Sequence, residues 1–142
     1  MHQLIYTSYA TFAFTDDDLL ALLRWSRQWN EQHGITGVLL HGDGQFVQVV
    51  EGSKAEIDYL YSHILRDLRH HDLTELAYGP IARRRFAQWT MGFHAATPEH
   101  LAQVRGYFDP EQLALRNHSL STRDELLFEL LQCFVHSSAN NW

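Results

Sequence analysis

The segment that decides the fold is residues 30–52, which read NEQHGITGVLLHGDGQFVQVVEG. Gly34 stands where a helix stops in the left-handed conformation. The dipeptide Asp43-Gly44 separates two apolar runs, which is a strong signal for a two-residue hairpin turn. The second run, Phe46–Val50, is rich in β-branched residues and too short for a typical helix. The segment therefore predicts a helix end, two antiparallel strands and the tight turn between them.

Gln48 places an amide in the middle of the second, apolar strand. A buried amide without hydrogen-bond partners costs about 1–3 kcal/mol. The sequence therefore predicts that a backbone group, a side chain, water or a ligand faces Gln48.

Length and charge limit the class of protein. The 142 residues are about one domain's worth and can bury a core without disulfides or metals. The chain has 17 acidic and 11 basic residues, a net charge of −6 with neutral histidines. This balance argues against a non-specific nucleic-acid binder, which depends on phosphate neutralisation, and the short run Arg83–Arg85 does not reverse it.

Cysteine and histidine usage limit the kind of site. The single cysteine, Cys133, excludes an internal disulfide. His63, His70 and His71 are the only close group of histidines, and no zinc-type motif accompanies them, so we expect no metal site. The N-terminus lacks the features of a secretory signal and no apolar run reaches membrane-spanning length. We expect a cytoplasmic protein with no membrane partner.

The order of predicted elements indicates the fold class. Capping residues and apolar spacing predict two helices, and alternation predicts strands before and after the hairpin. The predictions around the hairpin are a strand at Leu4–Ser8, a helix at Asp16–His33, a helix from Ser53 to about Asp67, a kinked edge strand at Leu73–Ala82 and a last strand at Trp89–Phe93 with Trp89, Met91 and Phe93 on one face. This α+β order, βαββαββ, is typical of a ferredoxin-like mixed five-stranded sheet with two helices on one face.

The C-terminal part reads as an appended helical extension. Helix starts are predicted at Thr97-Pro98, Asp109-Pro110 and Thr122–Glu125. The last helix has an apolar stripe of Leu126, Leu127, Leu130, Leu131 and Phe134. We expect the sheet and its two helices to form one domain at residues 1–95, and an extension at 96–142 that packs on the uncovered sheet face or mediates association.

The first helix carries polar groups on an otherwise apolar line. Leu22, Ser26 and Asn30 recur at i, i+4 and i+8. Two such helices side by side on a sheet would form a slot suited to a flat heteroaromatic ligand, with Tyr6 and Gln48 as its floor. The amides of Asn30 and Gln48 suit the alternating carbonyl and N–H edge of a ring such as flavin. The alternative is that Tyr6 is a core residue whose hydroxyl bonds to backbone.

Several motifs stand in register along the chain, and their combination is more specific than any one of them. They are Ile5–Ser8, Asn30 four residues before Gly34–Gly37, Phe46–Gly52, Arg66–His70, Pro80–Phe86 and Trp89–Met91. With these motifs, residues 4 to about 93 resemble the BLUF domains, the blue-light sensors that use flavin. The C-terminal helices resemble those of the short stand-alone members. Trp29 departs from the family pattern, which commonly has a polar residue just before the asparagine.

The resemblance implies a role for each matching residue. Tyr6 is the expected electron and proton donor to photoexcited flavin, Gln48 bridges the tyrosine hydroxyl and the flavin edge, and Asn30 bonds the pyrimidine carbonyl side of the ring. Trp89 and Met91 are expected to relay the signal. The remaining residues expected around the flavin and its ribityl or phosphate chain are Ser26, Phe46, His63, Ile64, Asp67, Arg69 and His70.

Three functions remain in contention from the sequence. A flavin photosensor without enzymatic activity, with FAD or possibly FMN bound, is expected to act as a homo-oligomer on a downstream signalling protein. A flavin-dependent oxidoreductase is disfavoured because the chain has no Gly-x-Gly-x-x-Gly motif for a nicotinamide partner. A ligand-free ferredoxin-like interaction module would purify colourless.

Overall fold

A computed structural model describes residues 1–106 and Leu131. Its elements are β1 (His2–Ala10), α1 (Asp16–His33), β2 (Thr36–Gly42), β3 (Gln45–Gly52), α2 (Lys54–Arg66), β4 (His70–Pro80), β5 (Gly92–Ala95) and α3 (Pro98–Gly106). The five strands form one sheet in the order β4-β1-β3-β2-β5. Only the β2–β5 pair is parallel among these strands. The predicted ferredoxin-like, mixed five-stranded sheet is confirmed.

The hairpin between β2 and β3 turns on two residues with positive φ. Asp43 has φ 51° and Gly44 has φ 69°, the conformation of a type I′ turn whose twist matches the flanking strands. Gly34 ends α1 at φ 66° and ψ 34°, and its N–H donates to the carbonyl of Asn30. These two local signals fix both ends of β2 as the sequence predicts.

Helices α1 and α2 both begin at the predicted caps. Thr15 and Asp18 form a reciprocal capping box, and three aspartates occupy the first turn of α1. Ser53 Oγ accepts from the N–H of Glu56 at the start of α2. Helix α2 ends at Arg66 and Asp67 is extended, so His70 and His71 lie at the start of β4 and not on α2.

Residues alternate between two cores on opposite faces of the sheet. Leu4 and Tyr6 of β1 belong to the core that α1 and α2 cover, whereas Ile5 belongs to the core on the other face. The second core contains Ile5, Val38, Leu40, Val47 and Val49 together with Leu101 and Val104 of α3 and Leu131. Leu131 is the one member of the predicted C-terminal stripe among the described residues, and the others lie outside them.

The prediction of the last strand was partly wrong. The strand begins at Gly92, so Trp89 lies in the preceding loop, where its N–H donates to the carbonyl of Phe86 over 3.0 Å. Trp89 packs against the second core, but Met91 and Phe93 belong to the first. The alternation expected from Trp89 onward fails because turn hydrogen bonds, not a ladder, set the backbone before Gly92.

Strand β4 is an edge strand, as predicted, although it begins earlier in the chain. It runs from His70 to Pro80, and its pairing with β1 shifts register between Ile5 and Tyr6 and again after Thr7. Gly79 has φ 159° near its end. Gly79 and Pro80 pair in regular register with Gln3 and His2, and the two shifts lie opposite residues 71–77, so the irregularity of β4 does not fall at the Gly-Pro pair where the sequence predicted it.

Candidate functional site

Tyr6 and Gln48 are directly opposite each other on β1 and β3. Both side chains are buried, and the Tyr6 hydroxyl donates a hydrogen bond to Oε1 of Gln48. Burial raises the pKa of the Tyr6 phenol well above its ordinary value; the nearby Asp67 charge raises it further, and Arg69 lowers it in part. The phenol is therefore a neutral hydrogen-bond donor. Its hydroxyl is the polar group that the sequence predicted to face the Gln48 amide.

The other end of the Gln48 amide points to Met91. Nε2 of Gln48 donates to Sδ of Met91 over 3.7 Å, and Met91 is almost fully buried. The amide oxygen thus contacts a residue of β1, and the amide nitrogen contacts the residue just before β5. A rotation of this amide would exchange donor and acceptor at both contacts.

Helix α1 supplies one wall of a cleft above this pair. Leu22, Ser26 and Asn30 line the cleft, as their i, i+4, i+8 spacing predicts. Nδ2 of Asn30 donates to the carbonyl of Thr90 over 2.5 Å. This bond uses one of the amide's two N–H groups, which leaves the second N–H and the carbonyl oxygen for a ligand.

The end of α2 and the start of β4 supply a charged rim. The guanidinium of Arg69 donates to both carboxylate oxygens of Asp67, with distances of 2.6–3.1 Å. Partial burial opposes ionisation of Asp67, but the side-chain and backbone hydrogen bonds from Arg69 outweigh it, so the pKa of Asp67 lies below its ordinary value.

His70 closes the floor of the cleft next to Tyr6. Its Nε2 lies 2.8 Å from the carbonyl of Ile64 and its Nδ1 lies 2.7 Å from the hydroxyl of Ser8. Nε2 must carry the proton, because the carbonyl only accepts. The ring is 6.1 Å from that of Tyr6 and tilted by 58°. His70 therefore ties the end of α2 to β1.

The cleft brings together nine of the ten residues predicted to contact the cofactor. Its open space, including solvent at the mouth, is about 600 Å³. The nine are Tyr6, Ser26, Asn30, Phe46, Gln48, Ile64, Asp67, Arg69 and His70. The tenth, His63, is exposed and lies outside, with its ring 4.7 Å from Tyr59 and 6.3 Å from Trp29. One residue is about 100° of helical rotation, so Ile64 faces inward and His63 faces away.

Five further residues line the cleft that were not among the ten predicted to contact the cofactor. Phe14 packs edge-on against Phe46 at 5.2 Å, and it precedes the cap Thr15, where an apolar residue is typical. Leu39 pairs with Gln48 across β2 and β3, which only the strand register reveals. The five are Phe14, Leu22, Trp25, Leu39 and Leu60.

The residues of the cleft fit a flavin. Its inner walls are aromatic and aliphatic, and two buried amides can both donate and accept along a ring edge. Its rim, at Asp67 and Arg69, is partly solvent-exposed and charged, which suits a polar chain. Among residues 1–106 and Leu131, no group of three or more histidine, cysteine or acidic side chains is arranged to hold a metal ion.

Comparison with known families decides the identity of the domain. The family model described as sensors of blue light using FAD matches residues 1–92. The chain belongs to the BLUF family. As a BLUF domain, it is a blue-light sensor that works with a bound flavin.

The curated relatives of this BLUF domain include photoactivated adenylate cyclase subunits. The chain is 41% identical over 121 residues to the photoactivated adenylate cyclase subunit beta of Euglena gracilis, covering 84% of this chain and 14% of the relative. It thus spans about a seventh of that protein's length. No helix within the described residues is long and apolar enough to cross a membrane.

Solved BLUF structures share the fold. BlrB in its dark state is 29% identical with a TM-score of 0.68, and the match covers 91% of this chain and 92% of BlrB. Klebsiella pneumoniae BlrP1, solved with FMN and cyclic diGMP, is 37% identical with a TM-score of 0.62, covering 66% of this chain and 25% of BlrP1.

Proposed function

We propose that Tyr6 is the photochemical electron and proton donor of this BLUF domain and that the Gln48 amide is its switch. The observation that carries the proposal is the continuous chain from the Tyr6 hydroxyl through the Gln48 amide to Sδ of Met91. It joins the central strands to the segment that leads out of the sensory sheet, so one reorientation of the amide acts on both.

The residues of the cleft divide the chemistry between them. When bound, flavin supplies the absorption of blue light and an excited ring that accepts one electron and then returns it. Tyr6 releases that electron, and its hydroxyl proton crosses the existing hydrogen bond to Oε1 of Gln48. When both return to Tyr6, the Gln48 amide is left rotated or in its imidic tautomer. No net oxidation results, and the outcome is a reversible change in hydrogen-bond direction.

The change at Gln48 is passed on through Met91. In its second state the amide no longer directs Nε2 at Sδ, so Met91 loses the contact that it has in this structure. Met91 immediately precedes β5, which leads to α3. Trp89, packed on the opposite face with Phe86, moves with the same loop and is the second proposed relay residue. The result is a shift of population in the elements that follow.

We propose FAD as the cofactor, with FMN as the possible alternative. The description of the family names FAD, and the BlrP1 structure contains FMN. The inner cleft recognises the ring that both share, whereas the rim at Asp67 and Arg69 faces the chain that differs. His63 lies outside the cleft and is proposed to contact only the outer part of the cofactor's ribityl-phosphate chain.

The output is proposed to be an interaction rather than a reaction of this chain. The family match ends at residue 92, and residues 96–142 form the proposed extension. In relatives that are adenylate cyclase subunits the matched region is a small part of the protein. We propose that this chain has no enzymatic activity of its own and acts in the cytoplasm as a homo-oligomer on a downstream signalling protein.

Infrared difference spectroscopy tests the switch directly. The light-minus-dark spectrum of flavin-loaded protein with ¹³C-labelled glutamine should contain an amide carbonyl band of Gln48 that shifts with the label. The band should vanish in Gln48→Leu, and also in Tyr6→Phe, which has no proton to give. Persistence of the labelled band in Tyr6→Phe would remove Tyr6 from the mechanism.

A further inference from the structure

The segment between the loop and β5 accepts hydrogen bonds from three donors, one on β2 and two on α1. The carbonyl of Trp89 accepts from the N–H of Gly37 at 3.0 Å, that of Thr90 accepts from Nδ2 of Asn30 at 2.5 Å, and that of Met91 accepts from Nε of Arg27 at 3.0 Å. Pairing of β5 with β2 begins only at the next residue. The carbonyl of Met91 is therefore held by a side chain of α1, one residue before the sheet ladder begins.

Met91 is held at both of its ends. Its side chain accepts from Gln48 and its carbonyl accepts from Arg27. Arg27 therefore holds the backbone from which the Met91 side chain reaches the Gln48 amide. The contact with Arg27 is made by the carbonyl of Met91 and not by its sulfur, so a reorientation of the Gln48 amide does not break it directly.

Arg27 is suited to this contact by charge and placement. It lies one helical turn before Asn30 on α1, so both side chains reach the same segment. The four ion pairs within residues 1–106 do not include it, and its guanidinium is partly buried. A charged donor makes a stronger hydrogen bond to a carbonyl than a neutral one does.

We propose that Arg27 is a positioning residue that holds Met91 against Gln48 and thereby sets the rate at which the switch returns to its dark state. This inference rests on the proposed switching role of Gln48. Loss of the contact with Arg27 removes a stabilisation of the dark arrangement, so recovery slows. Hydrogen bonds with charged partners predict a slowing of about three- to tenfold when part of that energy is lost in the transition state.

The experiment compares Arg27→Met with Arg24→Met in flavin-loaded full chain. Arg24 is exposed on the same helix, so its substitution controls for changes in helix propensity and net charge. Arg27→Met should keep the amplitude of the light-induced red shift, slow its dark decay about three- to tenfold and increase hydrogen exchange at residues 90–92 in the dark. Arg24→Met should leave all three unchanged, and Arg27→Lys should restore part of the decay rate.

A double-mutant cycle with Met91→Leu shows whether Arg27 acts through Met91. If it does, Arg27→Met has little further effect on decay once the sulfur is absent. Dark decay in Arg27→Met equal to that of the unmodified chain, or a full additional slowing in the Met91→Leu background, would overturn the proposal. If the unmodified chain shows no red shift at all, the proposed function itself is refuted. The two failures are therefore distinguishable.

Discussion

Tyr6 on β1 donates its hydroxyl hydrogen bond to Oε1 of Gln48 on β3, its direct cross-strand partner. Antiparallel register places the two side chains on the same face of the sheet, at the floor of the cleft between α1 and α2. The pair therefore couples a group that can lose a proton to an amide that can change direction.

Tyr6→Phe should abolish the reversible red shift and leave flavin bound. The substitution removes the hydroxyl but keeps the ring that packs in the first core. Visible spectra before and after blue light give the result, with far-ultraviolet circular dichroism as the check on folding. Tyr9→Phe on the same strand is the control, because Tyr9 is exposed and outside the cleft. A normal red shift in Tyr6→Phe would exclude the phenol as the donor.

The raised pKa of Tyr6 predicts a loss of stability in alkaline solution. Below pH about 10 both the folded and the unfolded chain keep this proton, so Tyr6 adds no pH dependence. Above it the unfolded phenol ionises while the buried Tyr6 stays protonated, so the free energy of unfolding falls as pH rises. Denaturant titrations between pH 9 and 11 should show a steeper fall for the unmodified chain than for Tyr6→Phe. Equal slopes would show that burial does not perturb this group.

Glu51→Ala should destabilise the loop that carries Trp89. The carboxylate of Glu51 is fully buried and accepts from the N–H groups of Arg85 and Phe86 at 2.9 and 2.6 Å. Removing this acceptor should lower the free energy of unfolding by about 3 kcal/mol, because buried donors lose a charged partner. Urea denaturation measures the change, with the exposed Glu31→Ala as control. If Glu51→Ala lowers the free energy of unfolding no more than Glu31→Ala does, other contacts must hold the loop in place.

Truncation after Thr97 should separate sensing from output. The cut must follow β5, because Ala96 still donates from its N–H to the carbonyl of His41 at 2.8 Å. The shortened protein should keep at least part of the photocycle but lose light-dependent changes in association. It should also be less soluble, because Leu101, Val104 and Leu131 no longer cover the second core.

Hydrogen exchange on the full chain is the companion measurement. Illuminated and dark protein should differ in hydrogen exchange at residues 91–96 or in α3, because Met91, which contacts Gln48, precedes β5 and α3 along the chain. Identical exchange in both states would contradict the relay, and an unchanged light response in association after truncation would place the output within residues 1–97.

Local signals determined most of what the sequence predicted. Caps at Thr15 and Gly34 gave α1 its bounds, and Asp43-Gly44 gave the hairpin, because each depends only on neighbouring backbone. The helical spacing of Ser26 and Asn30 placed them on the cleft wall for the same reason.

Long-range contacts determined what the sequence did not predict. Trp89 lies on the unexpected face because the loop before it is fixed from distant elements, by Glu51 and by Arg84, which donates to the carbonyl of Gly34 at 2.5 Å. The position of Leu39 beside Gln48 follows from strand register, and that of His63 from the helical phase of α2. The faces of Trp89 and Leu39 depend on contacts between distant segments, whereas the outward direction of His63 follows from its position next to the inward-facing Ile64 on α2.

The most direct test of the Gln48 switch is the visible absorption spectrum of the purified, flavin-loaded chain before and after blue light, measured beside Gln48→Leu. The unmodified chain should be yellow, its flavin bands should shift to longer wavelength on illumination, and the shift should decay in the dark. Gln48→Leu should bind flavin and show no such shift. Bleaching of the bands in the unmodified chain, failure to bind flavin when it is supplied, or a normal red shift in Gln48→Leu would contradict the assignment of the amide as the switch.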